Sequence, residues 1–282
     1  MYRLRVGASV AYFNKSELTV RADFERDLET LKSLGFDCVD LDLCSIYNRD
    51  MIVQSHDLIP KAFEIIKNSG LQLNGVHLPF GRHRDYSEVD GDYRAQLLEH
   101  TRQMLQITDG YNPYCYVVHG SAEPIPTEER ADKLHALVES LSALSEFTDR
   151  YICVENLPRT CLLNTAQEHI SVIDAVNKPN VKACCDVNHF LHEPAEDALL
   201  RLGDRVKTLH ISDHDYIDER HVLPKDGKIN WMKLIGGLEA IGYQGVFNYE
   251  IIRELNQYVF YTFADIKRNY EELFAEYDQL KK

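Results

Sequence analysis

Histidines and carboxylates recur at one kind of place in this sequence: the end of an apolar run, or just beyond it. They are His77 in LNGVHLPF, His119 in CYVVHGS, Glu155 in YICVENL, Asp186 and His189 in VKACCDVNH, His210 in VKTLHISD and Glu250 in GVFNYEII. A carboxylate or imidazole set among Val, Ile and Leu is costly to bury without a partner. Several brought to one point would repel or take up protons unless a cation neutralises them. Glu155, Asp186, His210 and Glu250 are therefore read as the ligands of one divalent ion. Their donors are all oxygen and nitrogen, which favours Mn²⁺, Mg²⁺ or Co²⁺ and leaves Zn²⁺ open. His189, three residues after Asp186, is expected to face the same site. His77 and His119 are open between substrate contact, a second metal and structural roles.

The elements that must position these groups follow from their spacing. Eight apolar runs begin near residues 4, 38, 73, 115, 151, 181, 206 and 245. That interval, about 30–40 residues, is the rhythm of strand–helix units. Helical periodicity appears over 17–34, with Ser16 as a candidate N-cap, and over 56–68, 92–108, 127–148, 231–241 and 262–281. The rhythm predicts an α/β fold, a single (β/α)8 TIM barrel spanning residues 1–282, whose chemistry lies at the C-terminal ends of the strands. A doubly wound sheet would usually carry a Gly-rich phosphate turn after its first strand, and none follows residue 10.

Composition narrows the partners. The 282 residues carry 31 Lys+Arg against 45 Asp+Glu, a net charge of −14. Such a surface does not suit broad contact with a nucleic-acid backbone; Arg82, His83 and Arg84 form the one short basic cluster. No apolar run approaches the length of a membrane span, and no signal-peptide order opens the chain. The seven cysteines (Cys38, Cys44, Cys115, Cys153, Cys161, Cys184, Cys185) form no C-x-x-C pair. They are expected to be reduced and buried, as in a cytoplasmic protein. Adjacent Cys184 and Cys185 should face opposite sides of their strand. The aromatic segment 257–263 is a candidate cover for a neighbouring subunit in a homo-oligomer, or for a groove of the core.

Taken together the motifs resemble the xylose-isomerase-like barrels, which include sugar and sugar-phosphate isomerases and epimerases and the abasic-site endonucleases. The carriers are GVHLP (75–79), VVHGS (117–121), VEN (154–156), CDVNH (185–189), LHISD (209–213), RHVLPKDGKINW (220–231) and GYQGVFNYE (242–250). In the ketose epimerases of this group a Glu, Asp, His, Glu set holds the metal. By position these are Glu155, Asp186, His210 and Glu250, and the two glutamates also form the proton-transfer pair. The resemblance implies that His189 and an arginine after the seventh strand, best matched by Arg220, contact substrate oxygens. The stretch that usually reads P-G-x-G reads Pro224-Lys225-Asp226-Gly227 here. The endonuclease branch adds ligands for further zinc ions at positions matching His77, His119, His189 and His221, with Glu219 where that branch has Asp.

The activity implied is metal-assisted proton abstraction next to the carbonyl of a sugar or sugar phosphate, through a stabilised enediolate. Glu155 or Glu250 would take the proton, and His221 or Arg220 would anchor the far end of the substrate. Tyr12, Phe13 and Phe80 are candidates for an apolar wall. The alternatives are a multi-zinc phosphodiesterase and a keto-sugar or inosose dehydratase. A sugar-binding barrel without catalysis is disfavoured by the presence of both glutamates.

Overall fold

The computed structural model describes residues 2–11, 13–14, 19–43, 58–255 and 258–282. Eight parallel strands form one sheet: β1 (Arg5–Val10), β2 (Cys38–Asp42), β3 (Gln72–His77), β4 (Cys115–His119), β5 (Tyr151–Glu155), β6 (Val181–Asp186), β7 (Val206–His210) and β8 (Val246–Tyr249). They pair in the order β8-β1-β2-β3-β4-β5-β6-β7. A parallel bridge between Ile211 and Tyr249 joins the two ends. It is made by Ile211 N–H donating to Asn248 O at 2.8 Å and Glu250 N–H donating to Ile211 O at 3.0 Å. The protein is thus a TIM barrel, as the rhythm of the sequence predicts.

Among the described residues eight helices cover the strands: α1 (Phe24–Ser33), α2 (Leu58–Ser69), α3 (Gly91–Thr108), α4 (Arg130–Ser145), α5 (Ala166–Val176), α6 (Ala195–Leu202), α7 (Trp231–Ala240) and α8 (Phe263–Leu280). Two differ from the sequence reading by existing at all, since α5 and α6 fall outside the six predicted stretches. The first helix starts at Phe24 rather than residue 17, because Thr19–Val20 instead pairs with Phe13–Asn14 in a short antiparallel hairpin. Ser16, offered as its cap, lies outside the described residues. A 3-10 turn at Thr127–Glu129 precedes α4. The start of α8 carries a capping box, Thr262 and Asp265 each accepting from the other's backbone, which satisfies two otherwise orphaned N–H groups.

Strand alternation sorts the side chains. Val154, Cys185 and Leu209 point outward into the large apolar core under the helices. Cys115, Val117, Cys153 and Cys184 pack together as a small separate cluster, on the inward side. Cys184 and Cys185 therefore do face opposite ways. The six described cysteines are free and buried; Cys44 lies outside the described residues. Among the described residues no helix is long and apolar enough to cross a membrane. The inward positions next along the strands from Cys153 and Cys184 are Glu155 and Asp186, so the same period-2 pattern that fills the barrel delivers carboxylates to its mouth.

Candidate active site and metal centre

Glu155, Asp186, His210 and Glu250 converge. One donor atom from each lies within 4.8 Å of the others. Nδ1 of His210 is 2.9 Å from Oε1 of Glu155, 3.0 Å from Oε2 of Glu250 and 3.9 Å from Oδ2 of Asp186. Glu155, Asp186 and His210 are almost wholly buried, whereas the Glu250 side chain keeps 23 % exposure. Oδ2 of Asp186 is buried without a hydrogen-bond partner. Its carbonyl and amide are clamped by the Asn156 side chain, at 2.8 and 2.9 Å, and its Oδ1 accepts from Asn188 N–H at 2.7 Å. One carboxylate oxygen is thus fixed while the other is left bare toward the cluster.

The charges respond to that crowding. Burial pushes the Asp186 carboxyl up to about 7, with Glu155 and Glu250 adding to the rise against His189. Burial also opposes ionisation of Glu155 and Glu250. It is outweighed at Glu155 by His210 and then His119, which hold it well below the usual range. At Glu250 His210 outweighs it and brings the carboxyl to about 2. Like-charged carboxylates sharing one site behave this way: some stay ionised and one is driven toward protonation.

Two imidazoles meet the far oxygen of Glu155. Nε2 of His77 is 3.2 Å and Nε2 of His119 is 3.1 Å from Oε2. They end in different states. Burial lowers both, but the Glu155 hydrogen bond and Asp42 lift His77 to about 9, whereas for His119 burial wins and its pKa falls. The Phe80 ring stacks on His119, centroids 4.0 Å apart, and lines the cavity. Tyr12 and the Phe13 side chain, its proposed companions, lie outside the described residues. His77 also forms a potential ligand group with Glu155 and His210.

A third group lies toward the rim: His189, Glu219 and His221. Nε2 of His189 is 3.0 Å, and Nε2 of His221 3.9 Å, from Oε2 of Glu219. His189 Nδ1 is 2.9 Å from the Asn156 carbonyl and 3.4 Å from Oδ2 of Asp186, so this imidazole spans the rim and the buried cluster. The side chain of Arg220 goes elsewhere. Its Nη1 pairs with Asp215 at 2.6 Å, half exposed, and it does not line the cavity. The reason is local. Asn188 Oδ1 accepts from the N–H groups of both Arg220 and His221, and His221 takes a left-handed backbone with φ 45°, so the chain turns at this point. Glu219 and His221 point in, and Arg220 between them points out.

The guanidinium that sequence reasoning missed is Arg159, four residues beyond Glu155. It pairs with Glu123 from the loop after β4 and with Asp218 and Glu219 from the loop after β7, all within 2.9 Å. No feature of its sequence neighbourhood announces that bridging role. The loop after β7 is itself organised by Asp213, whose carboxylate accepts from Trp231 Nε1 at 2.7 Å and from the N–H groups of Lys225, His214 and Ile229. Lys225, at the glycine position of the P-G-x-G pattern, still adopts the left-handed backbone with φ 79°. That backbone is one that glycine adopts without the steric cost a side chain brings.

The whole arrangement opens into a cavity of about 500 Å³. Its walls include His77, Phe80, His119, Glu155, Arg159, His189, Glu219, His221, Glu250 and Ile252. A concave, partly apolar pocket with a few convergent polar groups is the form of a small-molecule site.

The profile of the xylose isomerase-like TIM barrel family matches residues 28–274. The chain belongs to this family. Among curated relatives, the xylose isomerase-like barrel is 25% identical over 262 residues to an inosose isomerase of Halalkalibacterium halodurans, covering 86% of this chain and 87% of that one. It is 25% identical over 252 residues to a D-psicose 3-epimerase of Ruminiclostridium cellulolyticum, covering 83% and 80%. Among solved structures, a D-psicose 3-epimerase crystallised in the presence of D-fructose superposes with a TM-score of 0.73 over 95% of this chain and 97% of that one, at 18% identity.

Proposed function

We propose that this xylose isomerase-like barrel is a divalent-metal-dependent isomerase or epimerase of a sugar or related polyhydroxy ketone. The observation that carries the reading is the meeting of Glu155, Asp186, His210 and Glu250, with a buried carboxylate oxygen of Asp186 left bare toward the others. Three carboxylates and an imidazole suit Mn²⁺, Mg²⁺, Co²⁺ or Zn²⁺, and a buried carboxylate oxygen without a hydrogen-bond donor suits a cation ligand. These four residues would hold the ion. When bound, it supplies Lewis-acid polarisation of the substrate's carbonyl.

The protein's own groups do the rest. Glu250, the carboxylate with exposure to the cavity, and Glu155, buried behind it, are the pair placed to take and return a proton on the carbon beside the carbonyl. Each such acid/base typically contributes about 10²–10⁴-fold. The positive charge of His189, whose two ring N–H groups are held by the Asn156 carbonyl and Glu219, favours negative charge developing on a nearby substrate oxygen. His77 and His119 fix the orientation of Glu155. Phe80 and Ile252 close the apolar side. The names of the matched relatives, inosose isomerases and a psicose 3-epimerase, support an isomerisation or epimerisation over the dehydratase alternative.

The test is Glu155→Gln and Glu250→Gln, each with metal content measured by elemental analysis and solvent-deuterium incorporation into ketoses read by mass. Loss of exchange with metal retained is expected. Activity that survives with metal retained shows that neither carboxylate is the base.

A second reading is favoured by one observation. His189, Glu219 and His221 form a further ligand group beside the first, as a multi-zinc phosphodiesterase would require. Stoichiometry separates the two: one ion per chain for the isomerase, about three zinc ions for the phosphodiesterase. The net charge of −14 weighs against an extended nucleic-acid substrate.

A further inference from the structure

The basic cluster at residues 82–84 does not act as a unit. Arg84 is buried, and His83 is exposed away from the cavity, while Arg82 is exposed and lines the cavity wall. Among the described residues two arginines line that cavity, Arg82 and Arg159. Arg159 is committed to Glu123, Asp218 and Glu219. Among the described residues no carboxylate pairs with Arg82, although Asp42, Glu123, Glu155, Glu219 and Glu250 share the cavity with it.

The loop that carries Arg82 is held in place. Gly81 adopts φ 107° and Arg84 N–H closes a turn onto the Gly81 carbonyl at 2.8 Å. The next residue, Asp85, accepts from Ser87 N–H at 2.8 Å and from Ser87 Oγ at 2.6 Å, and it pairs with buried Lys133 at 3.4 Å. Two positions before Arg82, Phe80 lies against His119 and His77. The guanidinium therefore stands on an anchored loop just past the ring that covers the metal-site imidazoles.

We propose that Arg82 receives an anionic terminus of the substrate, a phosphate ester or carboxylate, so that the substrate is a charged sugar derivative rather than a neutral ketose. This rests on the sugar isomerase reading and narrows its substrate class. A guanidinium offers a planar fork of donors matched to two oxygens of a phosphate or carboxylate. In a cavity bearing five carboxylates, an anionic end needs a cation of its own to enter. Arg82 is the lining arginine that no carboxylate of the described residues neutralises. Its fixed loop lowers the ordering cost of the contact.

The experiment is calorimetric binding of four non-reactive probes to the metal-loaded protein: sorbitol 6-phosphate, gluconate, sorbitol and inorganic phosphate. Wild type is compared with Arg82→Gln and Arg82→Lys. We expect one charged hexitol derivative to bind about tenfold or more tightly than sorbitol, and Arg82→Gln to abolish that advantage while Arg82→Lys keeps part of it. The favoured probe distinguishes phosphate from carboxylate. Inorganic phosphate should bind weakly, because it lacks the chain that reaches the metal site. Equal affinity for charged and neutral hexitols overturns the proposal. So does a charged-ligand advantage that survives in Arg82→Gln. Deuterium exchange into fructose 6-phosphate and a ketogluconate at saturating concentration, run in parallel, reports on Glu155 and Glu250. Its failure, with the charged-ligand advantage and its dependence on Arg82 intact, would remove the isomerase reading and leave Arg82 as the anion contact of the cavity.

Discussion

Nε2 of His189 lies 3.0 Å from Oε2 of Glu219, joining the end of the sixth unit to the loop after the seventh strand. The other nitrogen of the ring faces the Asn156 carbonyl at 2.9 Å, so both ring positions meet acceptors and the imidazole is held as a two-way donor. Burial would lower its pKa, but Asp186 and then the Glu219 hydrogen bond raise it to about 10. Removing the Glu219 charge therefore lowers it. In Glu219→Gln the basic limb of the kcat/KM profile should move to lower pH, and the NMR titration midpoint of the His189 ring should fall with it. An unmoved midpoint would mean that Asp186 alone holds the proton.

Asp186 sets the pH dependence of metal binding. In the metal-free protein burial pushes its carboxyl up to about 7, and ligation requires the deprotonated form. His210, whose pKa Cys184, Glu250 and Glu155 raise well above its ordinary value against burial, must lose a proton to ligate as well, so below about pH 7 the Asp186 proton adds a further loss of metal affinity of about tenfold per unit of acid. Calorimetry in two buffers of different ionisation enthalpy should show more protons released at pH 6 than at pH 8. Asp186→Asn should bind metal far more weakly and lose that difference. Binding enthalpies at pH 6 that do not depend on buffer would refute this account.

How much of this was legible in the chain is clearest at particular residues. The barrel strands announced themselves because each is an apolar run ending in a polar group, and the period of two that makes Cys184 and Cys185 diverge also sends Glu155 and Asp186 inward. Helix α6, of eight residues, is too short for a helical period to stand out, whereas α5 was missed although it is as long as α1 or α7. Yet each carried a signal. Thr165 with Glu168 is a capping pattern, realised by Thr165 accepting from Glu168 N–H, and Pro194 stands at the N-cap of α6. The direction of Arg220 and the reach of Arg159 were not legible. Both depend on contacts between loops distant in sequence: Asn188 with residues 220–221, and Arg159 with Glu123, Asp218 and Glu219.

Asp213 tests whether the loop that carries Glu219 and His221 is preorganised. Its buried carboxylate accepts four hydrogen bonds, including that of the Trp231 indole. A Cβ on Gly227 would fall 2.3 Å from Asp213 Oδ1 and 2.4 Å from the His214 carbonyl, so the loop closes tightly on this residue. Asp213→Ala leaves those donors unsatisfied and should cost about 3 kcal/mol in urea unfolding. Under native conditions its kcat should also fall, because the ends of the loop no longer fix Glu219. Gly227→Ala should act in the same direction through the clash. Full activity in a destabilised Asp213→Ala would separate the loop from catalysis.

One contribution to the stability of the barrel should fall on mild acidification, and it belongs to His169. Its Nε2 faces the Val154 carbonyl at 2.9 Å, and its buried Nδ1 has no hydrogen-bond partner. The ring is wholly enclosed, and burial brings its pKa down to about 4, against partial opposition from the Val154 contact and Glu155. The unfolded chain binds a proton near pH 6.5. Between about pH 6.5 and pH 4 the unfolded state therefore holds a proton that the native state refuses, and stability rises with pH through that window. From pH 7 to pH 5 this one group should remove about 2 kcal/mol. His214, buried beside Asp213 and likewise lowered to about 4, acts with the same sign. In His169→Gln the amide can still donate to Val154 O but cannot titrate. Urea midpoints at pH 7 and pH 5 should then lie closer together than in the wild type, even if both are lower. An unchanged separation would show that the acid sensitivity arises elsewhere.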